Sequence, residues 1–265
     1  MFYRTLFLTL ESTRIIAYSY TMEPALHRYI YGIERDHWWY AGRRRIIFDV
    51  IARIFPDGAR RALDIGCGSG LNAAILSTRV KEISGVEVSD EAIAAAKKIA
   101  PHLAIIKGAW PDVVIAGTFD LITCFDVLEH IADDKSALRN IESLLNAGGA
   151  AILTMPAFPF LWSNHDTIAH HHRRYTKKVL EQLLRSHTNL EIARISYFNS
   201  ILFFPIVFFR ALKKIFPLRA GASDIFSVPP PLNSALTSLF GAERFMLRYA
   251  NIPFGVSLLC VVRKK

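Results

Sequence analysis

The chain has few cysteines, no long apolar run and no block of charge of one sign. Its three cysteines, Cys67, Cys124 and Cys260, are far apart, each inside an apolar run, and no CxxC or HExxH pair occurs. That excludes a disulfide scaffold and a zinc site of ordinary spacing, and reads as reduced core thiols of a cytoplasmic protein. The most hydrophobic stretch, ILFFPIVFF at 201–209, is nine residues long, against about 20 needed to cross a bilayer. Residues 1–21 look apolar, but Arg4, Glu11 and Arg14 interrupt them and no small-residue cleavage site follows, so neither a signal peptide nor an anchor is expected. Met22 is expected to be the native start, with 1–21 a loosely held extension. Basic residues come in short groups such as Arg43–Arg45 and Lys213–Lys214, without the run expected of a nucleic-acid tail, so no nucleic-acid partner is expected.

What is present is a folded chain of 265 residues, 52% hydrophobic, with a net charge of +9. Its length suits one large domain with insertions, and its charge suits an anionic partner such as a phospholipid surface or a phosphorylated substrate. From Ala62 short apolar runs alternate with helical stretches. ALDI, ISGVEV, LAIIKG, FDLITCFDV and AAILTMP read as strands; the segments between read as helices, with Ser89 and Thr176 as N-caps and Gly148-Gly149 closing the helix KSALRNIESLL. Such alternation means an α/β fold with a mostly parallel sheet and a ligand crevice at the carboxyl ends of strands one and four. Residues 24–54 read as helical, 158–175 as a His-rich connection, and 200–253 as an apolar insertion. Within that insertion 201–209 is expected to be a buried helix kinked at Pro205, a membrane-surface helix or the wall of a substrate tunnel.

LDIGCGSG at 63–70 follows a strand and precedes a helix. Its glycines permit a tight turn and close backbone approach to a ligand. The spacing differs from the GxGxxG dinucleotide loop, and Asp64 would repel a diphosphate but tolerate a cation, which argues against a nucleotide-dependent oxidoreductase. Glu87, ending the second strand, is placed for ribose hydroxyls. Asp126, Glu129 and His130 follow strand four at i, i+3 and i+4; on a helix they would share a face able to hold a divalent ion. A helix start with a hydrogen-bonded histidine is the commoner meaning, and no metal is expected.

These residues resemble the class I S-adenosylmethionine-dependent methyltransferases, especially a bacterial and archaeal type 11/12-like group. The resemblance rests on LDIGCGSG, GVEVS, FDLITCFDVLEHI and AGGAAILTMPAF, and on HWWYAGRR (37–44), LWSNHD (161–166) and HRRYT (172–176). It implies a Rossmann-like seven-stranded sheet with the last strand antiparallel and helical insertions. S-adenosylmethionine would contact Asp64, Gly66, Cys67, Gly68, Gly70, Glu87, Val88, Trp110 and Asp126. Ala109 stands where relatives often carry an acid for the adenine amine; Trp110 could stack there and Asp112 supply the hydrogen bond, or the site could be that of a non-catalytic cofactor-binding scaffold. The acceptor implied is a small hydrophobic or lipid- or glycan-linked molecule, with peripheral contact at the inner membrane face.

Methyl transfer to a hydroxyl needs an acceptor held in line and a base, for which histidine is suited near neutral pH. The catalytic candidates are His130, His165 with Asp166 beside it, and His171. Trp162, Arg173, Arg174 and Tyr175 are the candidates for binding the acceptor, the arginines by clamping a phosphate or carboxylate.

Overall fold

The computed structural model describes residues 24–215 and 227–265. The extension 1–21 and Met22 lie outside the described residues. Five parallel strands come first: β1 (Ala59–Ile65), β2 (Val80–Glu87), β3 (Ala104–Lys107), β4 (Phe119–Phe125) and β5 (Leu145–Pro156). They are joined by β6 (Glu191–Phe198) and β7 (Ser257–Arg263) in the order β3-β2-β1-β4-β5-β7-β6. The last strand, β7, runs antiparallel to both β5 and β6. The order reverses between β1 and β4, which opens a crevice at their carboxyl ends.

Successive side chains on each strand enter opposite cores. Ile122 and Cys124 face one core, with Leu138 and Ile141 of helix α5 (Asp134–Leu144) and Leu180 and Leu184 of α7 (Lys177–His187). Leu121 and Phe125 face the other, with Ile46, Ile47 and Val50 of α2 (Trp38–Ile54) and Phe240 and Leu247 of α9 (Pro230–Tyr249). Each such fully buried side chain stabilises by about 1.5–3 kcal/mol. Helices α3 (Leu71–Leu76) and α4 (Asp90–Ile99) join β1 to β2 and β2 to β3. The expected N-caps form: Ser89 Oγ accepts from Ala92 N at 3.2 Å, and Thr176 Oγ1 from Val179 N at 3.3 Å.

Residues 24–54 are helical, as expected, in two helices, α1 (Pro24–Ile33) and α2, because the chain turns at 34–37. There Arg44 donates to the carbonyls of Glu34 and Arg35, and His37 Nδ1 accepts from Trp39 N, capping the new helix. Two other expectations are corrected. Gly148-Gly149 does not close a helix; α5 ends at Leu144 and the glycines form an irregularity within β5, where the pairing with β4 slips. Finally, 201–209 is not a buried kinked helix. It starts the continuous helix α8 (Phe203–Ile215), with Pro205 in the first turn where its missing N–H costs nothing, and with Phe204 (66%) and Phe208 (70%) exposed.

All three cysteines are buried and free. No helix among the described residues is long and apolar enough to cross a membrane.

Candidate active site

One cavity of about 620 Å³ occupies the crevice, within the range of about 300–1,000 Å³ usual for small-molecule sites. Its floor is the loop between β1 and α3, where Gly66 (φ 68°) and Gly68 (φ 55°) are left-handed. A Cβ on Gly66 would lie 2.4 Å from Val127 Cγ2, so conformation and packing both demand glycine there. Glu87 closes one end of the floor. Its carboxylate accepts from the backbone N–H groups of Gly68 (2.9 Å), Val88 (2.8 Å) and Ser89 (2.9 Å), which fixes the side chain at the cavity edge.

Asp64 lies behind this loop instead of on the cavity. It is 2% exposed and accepts from the Thr123 hydroxyl at 2.6 Å, because β1 and β4 bring the two residues side by side. Burial pushes its carboxyl up to about 7 against that hydrogen bond.

The N-terminal helices form the roof. Tyr31, Glu34, Trp38, Tyr40 and Arg43 line the cavity. Glu34 accepts from the Ser69 hydroxyl, tying α1 to the glycine loop, and buried Arg43 pairs with Asp126 at the end of β4. These roof residues, apart from those quoted within HWWYAGRR, carry no spacing signal of their own. The clustering of aromatic residues with arginine at 37–44 was the available sign.

The far end is built from two segments after β4 and β5. Leu128–His130 is a single 3-10 turn, and α6 (Asn164–Ile168) leads into the residues around His171. His172 N donates to Glu129 O at 2.8 Å and stitches the segments together. His171 Nδ1 lies 2.8 Å from Asp166 Oδ1, and Arg174 grips the same carboxylate through Nε (2.7 Å) and Nη2 (2.8 Å). Burial alone would raise the Asp166 pKa, but the His171 and Arg174 hydrogen bonds and the guanidinium charge outweigh it and hold the carboxyl below its ordinary value. His130 meets His171 edge to face with ring centroids 4.6 Å apart, and His165 lies 5.9 Å from His171 on another side. Glu129 is fully buried against them, and burial pushes it up to about 8. Opposite, α8 supplies an apolar wall with Pro205, Ile206 and Phe209; Arg210 Nη1 anchors it to Leu161 O at 2.6 Å.

Of the residues expected at the cofactor, Gly66, Cys67, Gly68, Glu87, Val88, Trp110 and Asp126 line the cavity, while Asp64 and Gly70 do not. Ala109 lines it as well; Asp112 is exposed elsewhere. His130, His165 and His171 line the far end, with Asp166 behind them. Of the expected acceptor residues only Arg174 reaches the cavity. Arg173 pairs with Asp134 (2.6 Å), the Tyr175 hydroxyl donates to Asp134 (3.0 Å), and Trp162 Nε1 reaches Thr167 (3.4 Å). Those three hold the connection in place. Asp126, Glu129 and His130 do not share a helical face, since Asp126 (φ 56°) turns to Arg43 and His171 takes the third place beside Glu129 and His130.

A ubiquinone biosynthesis O-methyltransferase from Marinobacter nauticus is 32% identical over 98 residues, 34% of this chain and 41% of that protein. The chain thus spans about two fifths of the length of the curated relatives it matches. The plantazolicin methyltransferase BpumL, solved with a desmethyl analogue and S-adenosylhomocysteine, superposes over 97% of both chains with a TM-score of 0.60 at 18% identity. The N-methyltransferase NodS of Bradyrhizobium japonicum, also solved with S-adenosylhomocysteine, covers 84% of this chain and 86% of its own at 15% identity and a TM-score of 0.51. Both share the fold. Residues 39–198 match the model of the methyltransferase domain. The glycine loop, the sheet with its antiparallel last strand and that match over most of the chain agree: this protein belongs to the methyltransferase domain family and has the class I S-adenosylmethionine-dependent methyltransferase fold.

Proposed function

We propose that the protein methylates a hydroxyl oxygen of a small hydrophobic or lipid- or glycan-linked acceptor, using S-adenosylmethionine. The observation that carries this is one cavity joining the glycine floor, the His171–Asp166 pair and the apolar α8 wall. Membership of a methyltransferase family makes a nucleotide-dependent oxidoreductase the wrong reading.

The residues present fit the cofactor. The glycine loop leaves backbone uncovered at the floor, Glu87 stands at its edge with lone pairs beyond those its three backbone donors use, and the buried indole N–H of Trp110 has no partner beside Ala109. When bound, S-adenosylmethionine supplies a methyl group on a sulfonium, which passes to oxygen as the sulfur keeps the bonding electrons and becomes a neutral thioether. Everything else is asked of the chain. Gly66, Cys67, Gly68, Val88, Trp110 and Asp126 would surround the cofactor, with Glu87 on the ribose. The histidine end, His130, His165 and His171 with Asp166 behind, would strip the acceptor hydroxyl of its proton, and α8 would exclude water from the acceptor's apolar part. The names of the curated relatives support oxygen as the methylated atom.

The outward face of α8 supports peripheral contact with an anionic inner-membrane surface from the cytoplasm: Phe204 and Phe208 project to solvent on a helix whose sequence ends in Lys213 and Lys214, in a chain of net charge +9. The proposal is tested by incubating the full chain with labelled S-adenosylmethionine and a panel of hydroxylated prenyl-phenols and lipid-linked sugars. Label transferred to oxygen supports it; transfer only to amines in a matched panel would sink it.

A further inference from the structure

Helix α9 has two apolar faces, and the core explains only one. Thr237, Phe240, Gly241 and Leu247 are buried, with Phe240 and Leu247 in the same cluster as Ile46, Ile47 and Val50 of α2. On the opposite side Leu232, Ala235, Leu239, Ala242, Met246 and Tyr249 are all exposed. These positions recur at alternating steps of three and four, so they form a straight seam about 26 Å long, the spacing of a coiled-coil contact line. None of the six is charged. A surface helix ordinarily turns a polar face to water, so a second apolar seam marks a contact surface. We infer that this seam pairs with the same seam of a second copy of the chain, the two α9 helices running antiparallel about a twofold axis.

The order of residues along the seam selects that partner. With the axis level with the midpoint between Phe240 and Gly241, each seam residue meets the one equally far on the other side of that midpoint. Leu239 of one copy then faces Ala242 of the other, Met246 faces Ala235, and Leu232 faces Tyr249. In the two inner pairs a large side chain meets a small one, which lets facing helices interdigitate at native packing density. A parallel pairing would set alanine on alanine at both 235 and 242 and leave gaps there. Phe245 borders the seam, with the guanidinium groups of Arg244 and Arg248 4.7 and 5.1 Å from its ring centroid, an aromatic and cationic rim. Leu232 (48%), Leu239 (42%), Phe245 (48%), Met246 (49%) and Tyr249 (89%) are large and open to solvent. Aromatic side chains of about 150–250 Å² each make this face on the order of 500 Å². With the alanines and serines between them, two such faces bury about 1,200 Å², the lower end of the range for stable complexes. The dimer is therefore one that dissociates on dilution, and it stands apart from the methyl transfer proposed above.

The test is sedimentation equilibrium of the full chain from about 1 to 100 μM. A dimer that dissociates on dilution is expected. Leu239→Glu and Ala242→Glu, both at exposed positions, should each raise the dissociation constant by about a hundredfold or more with circular dichroism unchanged. Should either fail to fold, the other is read in its place. Register is read by oxidising a mixture of Leu232→Cys and Tyr249→Cys chains, the three native cysteines being buried. The mixed disulfide should form while neither chain cross-links to itself, because like positions lie about 26 Å apart in the antiparallel pair. A monomeric wild type at the highest concentration, a dimer surviving both glutamate variants, or self-cross-linking of Leu232→Cys would overturn the pairing. So would loss of the dimer in Phe204→Ser/Phe208→Ser, which would move the interface to α8. A monomeric wild type whose co-flotation with liposomes is lost in Leu239→Glu would give the seam to lipid and overturn it as well.

Discussion

Asp166 accepts from His171 and from Nε and Nη2 of Arg174, so removing its charge should change the ring's orientation without touching the glycine floor. We expect Asp166→Asn to lower kcat by about 10²–10⁴, the span attributed to a positioned proton acceptor, with affinity for S-adenosylhomocysteine unchanged. Steady-state kinetics beside calorimetry checks this; equal losses in both would show a folding defect. Asp64 makes a prediction of another kind. Its carboxyl sits at about 7 in the folded chain, against about 3.9 in an unfolded one. The folded state therefore holds the proton more tightly, so the group's stabilisation is complete below about pH 4 and is lost as pH rises through about 7. Thermal melts of the free protein should fall over that window, and less steeply in Asp64→Asn. Parallel slopes in variant and wild type would refute the assignment. These two aspartates also mark the limit of residue-scale reading. Both stood out in sequence beside a glycine loop and a histidine, yet each lies behind the residue expected to share its task, because burial depth on a strand or short helix is set by the far wall of the fold.

At the scale of elements, α2 and α9 approach closely enough that a Cβ on Gly42 would lie 2.7 Å from Phe240 Cδ1. Phe240 also stacks on Phe198 and meets Trp38 and Trp39, so it has little room to yield. Gly42→Ala should destabilise by about 1–3 kcal/mol, read by denaturant unfolding; a neutral result would mean the helices separate freely. Helix α8 has two faces with different duties. Phe204 and Phe208 contribute little to the core, so Phe204→Ser/Phe208→Ser should keep stability within about 0.5 kcal/mol per site while losing co-flotation with anionic liposomes at low salt. Flotation equal to wild type would remove the membrane contact. The strands and the capped helices were legible because alternation and Ser89 or Thr176 act locally. The break at 34–37 was not: it is capped by Arg44, Trp39 and His37, whose meeting depends on the α2 helix already being formed. The same holds for α8, whose apolar run is indistinguishable from a core helix until the sheet decides which face it covers.

Over the whole molecule, the sheet order places the loop after β1 beside the turn after β4, and the insertions after β5 and β6 wrap the acceptor side. The fold and the glycine floor of the cavity were therefore readable from strand–helix alternation and one glycine pattern. The roof and the acceptor wall were less so, since Tyr31, Glu34 and Phe209 reach the cavity through tertiary packing of helices remote in sequence. The HRRYT segment shows the same limit: it carries the expected residue types, but Arg173 and Tyr175 spend them on Asp134. The central claim is that this cavity binds S-adenosylmethionine, and calorimetric titration of the full chain with S-adenosylmethionine, S-adenosylhomocysteine and NAD tests it most directly. Saturable binding of the first two without NAD is predicted, accompanied at a hundredfold excess over Kd by about 2.7 kcal/mol of added stability. Binding of NAD in their place, or of none of the three, would contradict it.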